Sequence, residues 1–245
     1  MDRNAYLNLS KYEDRHWWFI SRRIIINKVL KNYFSGEKFN SILEIGCGSG
    51  GNLELLSDFG KVHAMELDEY CIEIANKRNI CHVKHGSLPD DLPFDERFEL
   101  ICMFDVLEHI EDDQKALKTV SESLGDEGVL LITVPAYSFL WSSHDVALNH
   151  KRRYVKKRLL DILASAGFRA VYSTYFNSFL MPVVLLVRVF NNFVRKSRGD
   201  DLKTSSEFVN KLLSRVFSGE KYFIPRFSLP FGVSILIVAK KNNEK

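Results

Sequence analysis

An apolar run ending at Ile45 breaks into Gly46, Cys47, Gly48, Ser49, Gly50 and Gly51, with Glu44 just behind the turn. Glycines at this spacing let the backbone approach a ligand with no Cβ in the way, and a helix starting at Asn52 would aim its unpaired amides at it. The pattern satisfies both G-x-G-x-G and the dinucleotide motif G-x-G-x-x-G, so the neighbours must separate the two. Glu44, read at the strand end and facing the crevice, would repel a pyrophosphate and attract a cation. S-adenosylmethionine carries an ammonium, a sulfonium and no phosphate, and suits that carboxylate better. Glu66 closes the next apolar run about 20 residues on, the spacing of an acid that binds ribose hydroxyls. Asp68 and Glu69 read as caps of the following helix.

The acceptor side is expected beyond the later strands, where open parallel sheets place ligands. Asp105, Glu108 and His109 follow Phe104 at spacings that share one helical face. Further on come His144 and His150, then Arg152, Arg153 and Tyr154. Histidine is the natural base near neutral pH, and His144 is the first candidate, with His150 and His109 behind it. Each could equally be a hydrogen-bonded structural residue. Arg152, Arg153 and Tyr154 suit a carboxylate, phosphate or sugar on the acceptor. Trp18, between Trp17 and Phe19, could close over cofactor or acceptor, or simply supply packing area.

These residues must be held by alternating strands and helices from Ser41 to Val134, which implies a parallel sheet covered on both faces. Residues 1–40 read as a helical cap and 41–176 as a cofactor-binding core. An insertion or lid spans 177–231, and 232–245 supplies a final strand and tail. With 245 residues, 46% of them hydrophobic, the chain can bury one sizeable core, and a net charge of +3 gives no global argument for nucleic acid or membrane. Cys47, Cys71, Cys81 and Cys102 form no C-x-x-C pair, and Met1–Asn4 does not open a signal peptide, so a reduced, cytoplasmic setting is expected. The apolar run 179–187 is too short to span a bilayer. It reads as a core or covering helix, or as an interfacial one; with Arg188, Arg195, Lys196 and Arg198 behind it, peripheral membrane contact through 179–198 is open.

E-I-G-C-G-S-G, then M-E-L-D, then F-E-L-I-C-M-F-D-V-L-E-H-I resemble the class I S-adenosylmethionine-dependent methyltransferases. Among these the chain is most similar to small-molecule enzymes of the ubiquinone and menaquinone biosynthesis type. The resemblance implies a Rossmann-like α/β fold whose seven-stranded sheet is mostly parallel, with the last strand antiparallel between strands five and six. It implies cofactor contacts from Glu44, Gly46, Cys47, Gly48, Gly50, Glu66 and Asp105, and adenine walls from Leu67 and Leu88. Relatives place an aspartate after the glycine at 86, where this chain has Ser87; Asp90 or Asp91 could substitute. In some relatives a D/E-x-x-E-H arrangement binds a divalent metal, an option for Asp105, Glu108 and His109. The expected reaction is O-methylation of a small or amphipathic acceptor, lipid- or sugar-linked among the possibilities. A nucleotide-dependent oxidoreductase and a non-catalytic cofactor-binding partner are the competing readings.

Overall fold

The computed structural model describes residues 12–34, 36, 38–194 and 206–242, with the side chains of 188–194 left aside. Arg188, Arg195, Lys196 and Arg198, the basic half of the expected membrane contact, lie outside the described side chains.

Seven strands form one sheet in the order β3-β2-β1-β4-β5-β7-β6. They are β1 (Phe39–Ile45), β2 (Gly60–Glu66), β3 (Val83–His85), β4 (Phe98–Phe104), β5 (Leu124–Pro135), β6 (Phe168–Phe176) and β7 (Ser234–Lys241). β1 to β5 pair in parallel, and β7 runs antiparallel between β5 and β6, as expected. The near-continuous apolar strands follow from burial on both faces. Alternate residues divide between two cores: Leu43, Ile45, Ile101 and Ile132 face one side, while Ile42, Leu100, Cys102 and Leu131 face the other.

The first core is covered by α4 (Asp113–Ser123) and α6 (Lys156–Ser165), through Leu117, Val120, Leu159 and Leu163. The second is covered by α1 (Trp17–Tyr33), the short α2 (Leu53–Ser57) and α3 (Glu69–Asn76). In α1 the buried residues Arg22, Ile25, Ile26, Val29 and Leu30 recur at helical spacing, so one stripe faces the sheet. Each aliphatic side chain in that stripe contributes about 1.5–3 kcal/mol of burial.

The connection from β6 to β7 holds α7 (Met181–Val194) and α8 (Glu207–Ser218). Its two ends are tied together by Glu220, whose carboxylate accepts from the amides of Asn177, Ser178 and Phe179 at 2.6–2.8 Å. α8 packs on α1, Phe217 reaching the second core and meeting Trp17 at 6.0 Å between ring centres. Asn210 bridges them, accepting from the Trp17 amide and donating to the Arg15 carbonyl, both at 2.8 Å. Asn210→Ala should strand both groups and lower stability by about 1–2 kcal/mol, whereas Lys211→Ala, at an exposed ion pair, should change it by less than about 0.5. Urea denaturation of the two variants checks the difference.

Candidate active site

The ends of β1, β2, β4 and β5 open into a cavity of about 1310 Å³. At one end the chain leaves β1 through the glycine turn. Gly46 has φ +68°, and a Cβ there would sit 2.6 Å from a Val106 methyl, so no other residue fits without displacing Val106. Gly48, at φ +55°, donates its amide to Glu66 Oε2 at 2.9 Å. The other carboxylate oxygen of Glu66 accepts from the amides of Leu67 and Asp68. Three backbone donors thus fix Glu66 on the cavity wall while Oε2 keeps acceptor capacity toward the interior. A diol-bearing ligand is suited to that oxygen.

Cys47, Leu67, Ser87, Leu88 and Asp90 line the same end, and Asp91 does not. Burial pushes the Cys47 thiol well up, so it is a neutral wall. The Ser87 backbone is paired in both directions with Asp91, which holds the segment after β3 across from Leu67.

Glu44 departs from expectation. It shares the strand parity of Ile42, so its side chain passes beneath the turn rather than into the crevice, and Asn52 Nδ2 donates to it at 2.7 Å. It is 1% exposed and is absent from the cavity wall. Burial pushes its carboxyl up to about 8, against the opposing Asn52 bond. Between pH 4.5 and about 8 the folded chain therefore holds a proton that the unfolded chain has released, and this group costs stability as pH rises through that window. Glu44→Gln, which keeps an acceptor for Asn52, should flatten the dependence of Tm on pH over this range. An unchanged slope would show that Glu44 is ionised in the fold.

Over the middle of the cavity lies α1. Its Arg22 makes an ion pair with Asp105, and the guanidinium lies 4.6 Å from the Trp18 ring centre. Asp105 has φ +58° and donates its amide to Thr133. The helical face expected for Asp105, Glu108 and His109 is therefore broken: only Leu107–His109 make a 3₁₀ turn, and Asp105 is turned toward Arg22 instead. Arg22 Nε is buried without a protein partner among the described residues, which leaves a charged donor for an anionic group.

The other end is built on Asp145, which is fully buried. Its carboxylate takes two bonds from Arg153, at 2.7 and 3.0 Å, one from the Ser142 amide and one from His150 Nδ1 at 2.9 Å. Burial pushes this carboxyl up, but the bonds from His150 and Arg153 outweigh it and hold it well below the usual range. An ionised carboxylate only accepts, so His150 Nδ1 carries a hydrogen and its Nε2 is the nitrogen left for other partners. That nitrogen lies 4.0 Å from Glu108, and the His150 ring meets His109 edge-on at 4.7 Å. Burial, then His150, pushes His109 down to about 4 and so keeps it neutral. Glu108 is fully buried with both oxygens unpartnered, and burial, reinforced by Asp105, pushes its carboxyl well up. Ligand atoms of Glu108, His109 and His150 lie within 4.8 Å of one another. A cation-binding set therefore includes His150 in the place expected for Asp105.

His144 lines the cavity from the first turn of α5 (Ser143–Ala147), and Trp18 lines it beside Arg22. The run Arg152, Arg153 and Tyr154 is split. Arg153 touches the cavity but is engaged by Asp145; Arg152 pairs with Asp113 at 2.9 Å, and the buried Tyr154 hydroxyl donates to the same carboxylate. Neither Arg152 nor Tyr154 lines the main cavity. Sequence reasoning gave no site role to Glu13, Arg22 or Asp145. Glu13 reaches the glycine turn, accepting from Ser49 and Arg78 at 2.5 Å. Only the i, i+4 spacing of Trp18 and Arg22 hinted that the helix carried a cation toward the site.

Asp145→Ala leaves the Arg153 guanidinium buried and uncompensated, and should cost about 3–5 kcal/mol. Lys151→Ala, at a more exposed pair, should cost less than about 1 kcal/mol. Chemical denaturation separates the two outcomes.

Residues 17–173 match a family described as a methyltransferase domain. A protein of Mycolicibacterium smegmatis named for S-adenosylmethionine-dependent methyl transfer is 26% identical over 160 residues, covering 63% of this chain and 60% of its own. A Staphylococcus carnosus methyltransferase is 33% identical over 115 residues, covering 45% of this chain and 55% of its own. The chain thus spans less than two thirds of the length of these relatives. In fold it is similar to the O-methyltransferase of a Brevibacillus brevis polyketide synthase, solved with S-adenosyl-L-homocysteine: the TM-score is 0.62 at 16% identity, covering 96% of this chain and 78% of that one. These findings leave the dinucleotide reading of the glycine turn without support, and the chain belongs to the methyltransferase-domain family of class I, S-adenosylmethionine-dependent enzymes.

Proposed function

We propose that this protein transfers a methyl group from S-adenosylmethionine to an oxygen of a small or amphipathic acceptor, with His150 as the base. One observation carries the reading: a single cavity joins the Glu66 and glycine-turn wall to a histidine whose free nitrogen is fixed by a buried carboxylate.

The residues present fit the donor. Glu66 Oε2 would take a ribose hydroxyl, Leu67 and Leu88 would flank the adenine, and Asp90 or Ser87 would meet its amino group. Arg22 Nε would meet the donor's carboxylate, satisfying a charged donor otherwise buried without a partner. Bound there, S-adenosylmethionine supplies a methyl group already activated on a sulfonium. What remains for the chain is to align the acceptor and remove its proton.

Asp145 does this work indirectly, holding His150 in one tautomer and stabilising the imidazolium that forms when Nε2 takes the proton. His109, kept neutral by burial, can donate or accept at the same point without adding a competing charge. His144 forms the wall on the α1 side, close to His16.

A second reading rests on the convergence of Glu108, His109 and His150. A divalent ion there would bind the acceptor oxygen and lower its pKa. A chelator distinguishes the two: activity that survives it and is unchanged by added metal leaves His150 as the base.

His150→Gln should lower kcat by about 10²–10⁴-fold while leaving donor affinity within about threefold. Glu66→Ala should weaken donor binding at least about tenfold, the worth of a hydrogen bond to a charged group. Calorimetry with S-adenosylmethionine and turnover of methyl-labelled donor measure both. Binding of NAD in preference to S-adenosylmethionine would overturn the proposal.

A further inference from the structure

The segment that joins β6 to β7 differs in surface chemistry from the rest of the molecule. Residues 177–231 contain nine Lys and Arg against four Asp and Glu, a formal +5 in a chain whose whole net charge is +3, so the remainder is net negative. Among its described side chains, Lys211, Arg215, Lys221 and Arg226 stand against Glu207 and Glu220, and Glu220 is buried and engaged by three amides. The same segment is conspicuously apolar outside. Of the eighteen large hydrophobic residues exposed among the described residues, eleven lie in it. Leu186 is 71% exposed on α7 and Phe208 76% on α8, with Phe227 at 63% in the loop that follows.

Exposed apolar groups at this density mark a binding surface rather than scattered surface residues. A protein partner would cover such a patch without needing the positive charge. An anionic bilayer uses both, taking the apolar groups into the acyl boundary and the Lys and Arg side chains at the headgroups. α7 has the right form for this. It runs for 14 residues, about 21 Å, its described side chains are apolar, and no helix among the described residues is long and apolar enough to cross a membrane. A helix of this kind lies in the plane of the interface.

The patch is also continuous with the cavity. Val183, Val184 and Val187 of α7 line it together with Leu213 of α8, so the helices whose outer faces are apolar also supply an apolar inner wall. A hydrocarbon chain could pass from the bilayer between α7 and α8 without crossing water, placing its polar head toward His150.

We infer that the surface formed by residues 178–187 and 206–231 is a docking surface for an anionic lipid bilayer and that the methyl acceptor is an amphiphile whose hydrocarbon chain enters between α7 and α8. The second clause rests on the methyl-transfer reading above; the first does not.

The test uses the full-length purified chain with vesicles of phosphatidylcholine alone and of phosphatidylcholine mixed with phosphatidylglycerol. Sedimentation with the mixed vesicles only, weakened by salt, is expected. Leu186→Asp with Phe208→Asp should reduce that binding by about tenfold or more, and both residues lie outside the cavity wall. Calorimetry with S-adenosylmethionine on the same variant should give the wild-type affinity, which shows that the donor site is folded. Label from methyl-labelled donor should then enter the organic phase of a detergent-dispersed total lipid extract. Failure of the wild-type chain to bind mixed vesicles, or equal binding to neutral ones, would overturn the docking surface while leaving methyl transfer intact. Label appearing only in water-soluble products would overturn the amphiphilic acceptor, and failure to bind the donor would count against the proposed function alone.

Discussion

The ion pair between Arg22 and Asp105 decides what kind of cavity this protein has. Strand ends in an open parallel sheet form a shallow crevice, and the glycine turn alone would leave it open to water. Arg22 carries α1 across that crevice and fastens it to the residue that follows β4. Trp18 and Phe104 pack near the guanidinium, so the charge is held in an apolar surround where it is screened weakly and directed strongly. Asp105 can meet it only because its backbone turns into the left-handed region, a conformation aspartate tolerates better than most residues. The same turn frees Glu108 and His109 to face the other end of the cavity. One contact thus fastens α1 over the cavity, next to the turn from which Glu108 and His109 follow.

The glycine-turn end of the pocket was legible in the sequence because it is built from short segments. A glycine turn behind an apolar strand and an acid at the end of the next strand are local patterns, and Glu66 lies where its spacing put it. Glu44 shows how far such patterns reach. Its charge was visible, but strand parity places it with Ile42 on the face covered by α1 and α2, and a period of two residues outweighs proximity to the loop. Asp105, Glu108 and His109 were legible as residue types but not as geometry, since their spacing fits a helix that a left-handed residue interrupts. The link from His150 to Asp145 was not legible at all. It depends on the short helix α5 and the return of the chain behind it, and no periodicity records such a return. Glu13 and Arg78 meet across 65 residues for the same reason.

Among the described residues, Glu44, Glu108 and Glu220 are buried carboxylic acids with three different degrees of compensation. Glu44 is raised by burial and has one amide donor; Glu220, raised to about 7, has three backbone amides; Glu108 has none among the described residues. Uncompensated polar groups in a core are rare, and they concentrate where a protein binds or transforms something. Asp145 stands apart because Arg153 balances its charge, and this balance allows a fully buried acid to remain an acceptor beside the histidines.

Glu220 gives the connection between β6 and β7 a particular freedom. By binding the amides of Asn177, Ser178 and Phe179, it brings the two ends of a long excursion to one point at the edge of the sheet. Insertions between those two points can leave the register of β6 against β7 intact, because loop-closure cost grows only slowly with length, while Phe217 and Asn210 keep α8 against α1. The connection therefore behaves as an exchangeable cassette. A rewritten connection would change the wall it supplies to the cavity and leave the glycine turn and Glu66 as they are.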